Sequence, residues 1–237
     1  MNIKPNKKIG VLGGAGPAAT AKFFYDLIDI AQKKYKAEQD TDFPYIYLYN
    51  MPIEGFSETG FSNPDLVKKQ LIAGVKKIEE WGADFVVLPC NTVHFFINEM
   101  RNAISIPILS IIEATIDEVK KKKYKKIGVL SSASTKTLAL YKKPLEDNSI
   151  SVLITSQEEQ LLLDNIILAV MTGIQGIKEK EIMKSIIQRM KNEGAESIIL
   201  GCTELPLVIN QSESDITLIS TISSLVDKTL KYSYGEE

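Results

Sequence analysis

The chain has 237 residues, of which 44% are hydrophobic and 24% charged, with a formal net charge of −2. This composition excludes a disordered chain, and the length suffices for one large or two small α/β domains with a buried core. Lys and Arg (28) are balanced by Asp and Glu (30), so no excess of positive charge exists to bind nucleic acid. No apolar run reaches the roughly 20 residues of a membrane span, and the polar start is not typical of a signal peptide. We therefore expect a cytoplasmic protein.

Short apolar strands alternate with amphipathic helices along the chain. The first unit is a strand at 9–12, a glycine-rich turn at 13–17 and a helix from Ala18. Further strands are predicted at 45–49, 85–88, 106–109, 126–130, 152–155, 197–200 and 216–219, and helices at 65–81, 92–102, 158–172, 179–192 and 223–232. This alternation predicts α/β architecture, with mostly parallel sheets covered by helices on both faces.

The chain also contains an internal repeat at an offset of about 110 to 118 residues. KKIGVL occurs at 7–12 and at 125–130, WGADFVVLPCNT at 81–92 matches EGAESIILGCTE at 193–204, and IPILS at 106–110 matches ITLIS at 216–220. Three matches in the same order predict two similar lobes with a cleft between them. We assign residues 1–105 and 218–237 to the first lobe and 106–217 to the second.

Each lobe carries one cysteine directly after an equivalent strand, Cys90 in the first and Cys202 in the second. Ligands of parallel α/β sheets bind beyond the carboxyl ends of the strands, and a following helix N-terminus favours a thiolate. Two thiols facing each other across a cleft could invert a tetrahedral carbon, because one removes a proton from one face while the other delivers a proton to the opposite face. The alternative is that each cysteine is a small buried hydrophobic residue.

Three segments resemble the signatures of the aspartate/glutamate racemase family: GGAGPAAT at 13–20, PCNTVH at 89–94 and GCTEL at 201–205. The resemblance extends over the whole chain in order and length. It implies a homodimer that racemises a small amino acid without pyridoxal phosphate, metal or any other cofactor. By the same resemblance Cys90 and Cys202 are the catalytic residues, and the substrate-binding residues are Ala15, Gly16, Asn50, Asn91, Thr92 and Thr203.

The sequence departs from the aspartate-specific members of that family where they bind a second substrate carboxylate. Residues 50–61 contain no Arg or Lys, nor do residues 169–173, and the chain's two arginines, Arg101 and Arg189, fall on predicted helices. The polar groups that the sequence offers in or next to these regions include Ser57, Thr59, Asn63, Thr172, Glu54 and Glu58. We therefore predict weak discrimination in favour of aspartate, unless His94, a lysine of 33–36 or a partner subunit supplies a cation.

Two further polar residues accompany the cysteines. His94 follows Cys90 by one helical turn and could tune the cysteine or a nearby carboxylate as a cation or hydrogen-bonding group, or could be a structural histidine. Glu204 could orient the Cys202 thiol or bind a substrate amine, or could face solvent.

Three alternative functions remain open. GAGPAA at 14–19 fits a relaxed dinucleotide-binding fingerprint, although no acidic residue follows the second strand to hold a ribose. Cys90, His94, Cys202 and Glu204 could form a metal site. A non-catalytic amino-acid sensor could use the same two-lobed scaffold.

Overall fold

The computed structural model describes residues 4–57, 59–174 and 176–236, so Glu58 lies outside the described residues. The strands are β1 (Ile9–Gly13), β2 (Ile46–Asn50), β3 (Phe56–Ser57), β4 (Gly60–Phe61), β5 (Phe85–Val87), β6 (Ile108–Leu109), β7 (Lys126–Leu130), β8 (Ser151–Ile154), β9 (Ser197–Leu200) and β10 (Thr217–Ser220). The helices are α1 (Pro17–Tyr35), α2 (Pro64–Glu80), α3 (Ile97–Arg101), α4 (Ile111–Lys122), α5 (Ala133–Thr137), α6 (Lys142–Asp147), α7 (Gln157–Met171), α8 (Ile177–Asn192) and α9 (Thr221–Ser233). Short 3₁₀ segments lie at Asp40–Asp42, Thr92–Phe96, Leu205–Leu207 and Gln211–Glu213.

The two halves of the chain form two sheets of the same topology. The first sheet has the order β2-β1-β5-β6 and the second the order β8-β7-β9-β10, and neighbouring strands are parallel in both. Since β7, β8, β9 and β10 occupy the places of β1, β2, β5 and β6, the internal repeat corresponds to a structural repeat. The predicted α/β class with parallel sheets is confirmed.

A glycine in the first strand of each repeat allows a helix to pack closely on the sheet. A Cβ atom on Gly10 would lie 2.1 Å from the side chain of Ile78 in α2. At the equivalent position in β7, a Cβ atom on Gly128 would lie 2.4 Å from Ile198 and 2.7 Å from the sulfur of Met190 in α8. The glycine of KKIGVL therefore has the same packing role in both halves.

The two sheets share one hydrophobic cluster. It joins β1 residues such as Ile9 and Val11 to β7 residues such as Ile127 and Val129, and it includes Leu225 of α9. Helix α9 packs against both α1 and α4. The carboxyl ends of the strands are thereby fixed relative to each other by a continuous core.

The division into two lobes stays a prediction, and the strand pairing moves two of its boundaries. Strand β6 pairs with β5 in the first sheet, although a boundary at 106 assigned it to the second lobe. Strand β10 pairs with β9 in the second sheet, although a boundary at 218 cuts through it. The apolar pattern of a strand identifies the strand but not the neighbour with which it pairs.

The helix predicted at 92–102 is divided into a 3₁₀ segment (Thr92–Phe96) and α3 (Ile97–Arg101). An α-helix would pair the carbonyl of Cys90 with the backbone N–H of His94. That carbonyl instead contacts the His94 ring at 2.7 Å, and the His94 N–H donates to Asn91. The side chain thus replaces a backbone bond and tightens the first turn.

Candidate active site

Cys90 and Cys202 line one small cavity between the two sheets. Each cysteine lies in the turn after a central strand, Cys90 after β5 and Cys202 after β9. Both are buried, at 8% and 5% exposed, and neither forms a disulfide. The other lining residues are Ala15, Asn91, Thr92, Thr135, Gly201, Thr203 and Glu204.

Glu204 is buried in the cavity wall and bonded to its neighbours. The Cys202 thiol donates to Glu204 Oε2 over 3.1 Å, and the Thr203 hydroxyl donates to the same oxygen over 3.0 Å. Of the three possibilities considered for this residue, the solvent-facing one is wrong, since Glu204 is only 2% exposed. A hydrogen-bonded carboxylate next to a thiol can accept the thiol proton.

The glycine turn after β1 brings the N-terminus of α1 to Glu204. Gly16 caps that helix with a φ of 83°, and a Cβ atom there would lie 2.6 Å from Glu204 Oε1. The positive end of the helix dipole stabilises a nearby carboxylate. Ala15 lines the cavity itself, whereas Gly16 borders it through Glu204.

Hydroxyl groups from both halves of the chain meet at Thr92. Its Oγ1 lies 2.9 Å from Thr135 Oγ1 and 3.5 Å from Ser132 Oγ. Thr135 lines the cavity but was missed in the sequence analysis. The repeat contained the signal that could have identified it, because SSAST at 131–135 follows β7 as the glycine turn follows β1.

Asn91 lines the cavity, and its amide is held by bonds inside the protein. Asn91 Oδ1 accepts from the Tyr141 hydroxyl over 2.5 Å, and Asn91 Nδ2 donates to Thr221 Oγ1 over 3.3 Å. Tyr141 and Thr221 were missed in the sequence analysis. Although Thr221 directly follows the repeated ITLIS segment, no local pattern brings it or Tyr141 to Asn91, from which they lie 130 and 50 positions away.

His94 is a buried neutral residue, so its interpretation as a cation in the site is wrong. The Ile111 N–H donates to Nε2 over 3.2 Å, which leaves Nδ1 to donate to the Cys90 carbonyl over 2.7 Å. Burial is the main cause that lowers the pKa of His94 to about 4. His94 is not among the cavity-lining residues, and it acts on the backbone of the Cys90 turn.

Asn50 does not reach the cavity. It ends the edge strand β2 and is exposed to solvent, so its prediction as a substrate-binding residue is not supported by its position. Strand β2 lies at the outer edge of the sheet, two strands from β5, which precedes Cys90.

The candidate cations also lie elsewhere. Lys33 pairs with Asp29 and Lys34 with Asp227 at the far end of α1, while Arg101 pairs with Glu113 and Arg189 with Glu159 and Glu193. The uncharged polar candidates bond locally: Ser57 to Thr59, Asn63 to the start of α2 and Thr172 to its own helix. Among the described residues that line the cavity, none is basic.

The same geometry weighs against two of the alternative functions. A metal site on these residues would need a nitrogen of His94, but both ring nitrogens contact backbone atoms. Within the described ranges, no group of three or more His, Cys, Asp or Glu is placed to hold a metal ion. At the glycine turn, the buried carboxylate of Glu204 lies where a dinucleotide would place its negatively charged pyrophosphate.

Comparison with known proteins identifies the class to which this fold and site belong. The family model of Asp/Glu/hydantoin racemases matches residues 12–229. The chain is 32% identical over 222 residues to the broad-specificity amino-acid racemase RacX of Bacillus subtilis, covering 94% of this chain and 96% of that protein.

Solved structures agree with this match. An aspartate racemase homologue from Pyrococcus horikoshii has a TM-score of 0.82 at 30% identity, covering 96% of this chain and 99% of that one. The aspartate racemase of Picrophilus torridus has a TM-score of 0.83 at 27% identity, with 96% and 94% covered.

The protein is therefore an isomerase that acts on amino acids. It belongs to the Asp/Glu/hydantoin racemase family, as the resemblance of its signature segments predicted. This assignment favours an enzyme over a non-catalytic sensor. In the part of the chain that the structure describes, no helix is both long and apolar enough to cross a membrane.

Proposed function

We propose that this racemase inverts Cα of its substrate by a two-thiol acid/base mechanism, without a cofactor. The observation that carries the proposal is the convergence of Cys90 and Cys202 on one cavity from equivalent turns of the two repeats. With Cα between the sulfurs, each thiol faces one side of the carbon.

In one turnover, the thiolate of one cysteine takes the Cα proton and becomes a thiol. The opposite thiol then delivers its proton to the other face of the carbanion and becomes a thiolate. The substrate leaves with inverted configuration, and the two cysteines have exchanged protonation states. The reverse reaction uses the same pair with their roles exchanged.

Glu204 is proposed to set the protonation of Cys202. Its Oε2 accepts the thiol hydrogen bond at 3.1 Å, so the carboxylate can receive that proton when Cys202 acts as the base. The Thr203 hydroxyl already donates to Glu204, so the uncharged donors left for the substrate α-carboxylate are the hydrogen-bonded Thr92–Thr135 hydroxyl pair and the remaining amide hydrogen of Asn91.

The cavity also supports a broad substrate range in place of a strict preference for aspartate. Its ionisable lining groups are two thiols and one carboxylate, and none of its described lining residues is a cation. A second substrate carboxylate left unpaired in such a site costs about 1–3 kcal/mol or more. The broad specificity of the Bacillus subtilis relative is consistent with this proposal.

Incubation with single L-amino acids in D₂O tests the function directly. We expect deuterium at Cα, detected by NMR, and formation of the D-enantiomer, detected by chiral chromatography. The doubly substituted Cys90→Ala/Cys202→Ala protein is the control for contaminating racemases. Binding of an amino acid without Cα exchange would favour a sensor.

Activity should survive dialysis against EDTA and treatment with hydroxylamine, and should be lost with iodoacetamide. Loss of activity with EDTA and its restoration by zinc would instead require a metal mechanism.

The homodimer implied by the family resemblance and the cytoplasmic location both stay predictions. Sedimentation velocity measures the oligomeric state.

A further inference from the structure

A chain of buried hydrogen bonds connects the two cysteine turns beneath the cavity. The Tyr141 hydroxyl donates to Asn91 Oδ1 over 2.5 Å, and Asn91 Nδ2 donates to Thr221 Oγ1 over 3.3 Å. Thr221 Oγ1 in turn donates to the carbonyl of Leu200 over 3.2 Å. Asn91 directly follows Cys90 and Leu200 precedes Cys202 by two residues, so the chain begins at one cysteine turn and ends at the other.

The ring of Tyr141 contacts the second turn directly. A Cβ atom on Gly201 would lie 3.2 Å from Tyr141 Cε2, so the ring lies against the residue that precedes Cys202. Tyr141 is 2% exposed and belongs to the hydrophobic cluster shared by both sheets. One side chain therefore bonds to the residue after Cys90 and packs against the residue before Cys202.

The Tyr141 hydroxyl is protonated at neutral pH and therefore acts as a donor. Burial raises the pKa of this phenol far above its usual value; bonds with Thr115 and Thr221 oppose the shift, and ionisation of Cys202 or Cys90 raises the pKa further. This donor fixes the orientation of the Asn91 amide, with its oxygen toward Tyr141 and its amino group toward Thr221. The second amide hydrogen then remains for an anionic group in the cavity.

We propose that Tyr141 is a positioning residue, whose hydroxyl holds the Asn91 amide and thereby fixes the Cys90 turn relative to Cys202. This inference rests on the proposed two-thiol mechanism, in which both sulfurs must be placed on opposite faces of one carbon. A misplacement of about 1 Å at such a site can lower the rate by about 100-fold. Tyr141 itself exchanges no proton with the substrate.

Tyr141→Phe tests the proposal, because it removes the hydroxyl and keeps the ring against Gly201. We expect kcat to fall by about 10- to 100-fold in both directions while KM changes by less than about threefold. The matched control is Tyr234→Phe. Tyr234 is a second buried tyrosine, and its hydroxyl donates to the Asp42 carbonyl at a distance of 2.7 Å, outside the cavity. The melting temperature of Tyr234→Phe should decrease by about as much as that of Tyr141→Phe, but its kcat should equal that of the wild type.

A double-mutant cycle with Asn91→Ala tests whether Tyr141 acts through Asn91. In the Asn91→Ala background, Tyr141→Phe should lower kcat by less than about twofold, because the amide that it positions is gone. Full additivity in the cycle would overturn the proposal, as would equal kcat values in Tyr141→Phe and the wild type. If the wild type shows no Cα exchange, the proposed function fails together with this inference. If the wild type exchanges and Tyr141→Phe keeps its kcat, only this inference fails.

Discussion

At the scale of single residues, the polar groups around the cavity divide into those that can exchange protons and those that hold the backbone. Cys90, Cys202 and Glu204 line the cavity and carry ionisable groups. His94 is equally buried but bonds to the backbone on both sides of its ring. Burial therefore does not distinguish the two classes, whereas the identity of the hydrogen-bond partner does.

Replacing either cysteine should abolish inversion. Cys90→Ala and Cys202→Ala are each expected to lower kcat by about 10²- to 10⁴-fold, because a single thiol serves one face of Cα. Val93→Ala is the packing control, since Val93 belongs to the same buried cluster as Cys90 and does not line the cavity. A Cys202→Ala protein that racemises at a near wild-type rate would contradict the two-thiol mechanism.

His94 should make the stability of the protein depend on pH in a defined window. Its pKa is about 4 in the folded protein and 6.5 in the reference state, so the unfolded chain binds a proton first as the pH falls. The free energy of unfolding is therefore unaffected above pH 6.5 and decreases from pH 6.5 to 4, by about 2 kcal/mol between pH 7 and 5.

The chain contains one histidine, so a single variant isolates this effect. His94→Gln should be less stable at neutral pH, because it disrupts the bonds to Cys90 and Ile111, but should lack the decrease between pH 7 and 5. Urea unfolding at the two pH values measures both quantities. If the free energy of unfolding decreased equally between pH 7 and 5 in the variant and the wild type, His94 would take up its proton as readily in the folded protein as in the unfolded chain.

At the scale of elements, the cavity depends on how closely the N-terminus of α1 approaches the turn after β9. Gly16 permits this approach in two ways, through its left-handed backbone and through its missing Cβ atom. The first is a local property of the turn and the second a contact between distant parts of the chain. Two glycine variants separate them.

Gly16→Ala should lower both stability and activity, whereas Gly173→Ala should lower stability alone. Both glycines have a positive φ, 83° and 74°, which costs an alanine about 1–2 kcal/mol. At Gly16 the new methyl would also lie 2.6 Å from Glu204 Oε1, while at Gly173 no atom of the described residues, other than those of its two chain neighbours, would lie within 4 Å of the methyl. We expect kcat to fall at least about tenfold in the first variant; unchanged kinetics would show that the Glu204 position is not critical.

At the scale of the whole molecule, the charge of the cavity should determine the substrate range. The basic side chains of Lys33, Lys34, Arg101 and Arg189 are paired with acidic residues outside the cavity, and Glu204 places a carboxylate inside it. We expect kcat/KM for aspartate to lie within about tenfold of the values for serine and a basic amino acid, a difference of about 1.4 kcal/mol.

Glu204→Gln should shift this selectivity toward aspartate by several-fold, since it removes the repelling charge, even if the absolute rate falls. Glu181→Gln is the control, because it changes the net charge equally at an exposed ion pair with Lys184. Competition assays with mixed amino acids give the ratios. A wild-type preference for aspartate above about 1000-fold, roughly 4 kcal/mol, would require a cation from outside the described cavity, such as one from a partner subunit.

The sequence by itself determined the features that depend on local pattern. Alternating apolar strands and helices predicted the parallel sheets, and the repeated KKIGVL and cysteine segments predicted two halves of equal topology. Cys90 and Cys202 follow central strands of those sheets, and parallel strands end at one edge. Their position at the carboxyl edge of each sheet follows from topology, whereas their convergence on one cavity depends on how the two sheets pack.

Only the tertiary structure decided which other side chains reach that cavity. Thr135 and Tyr141 come from the second half of the chain and meet Thr92 and Asn91 of the first, while Asn50 ends an edge strand and stays outside. His94 is neutral mainly because it is buried, and the Ile111 N–H donates to its second nitrogen. These contacts join residues 17 to 50 positions apart. Their geometry is set by the packing of the two sheets on a shared core, which no local sequence pattern encodes.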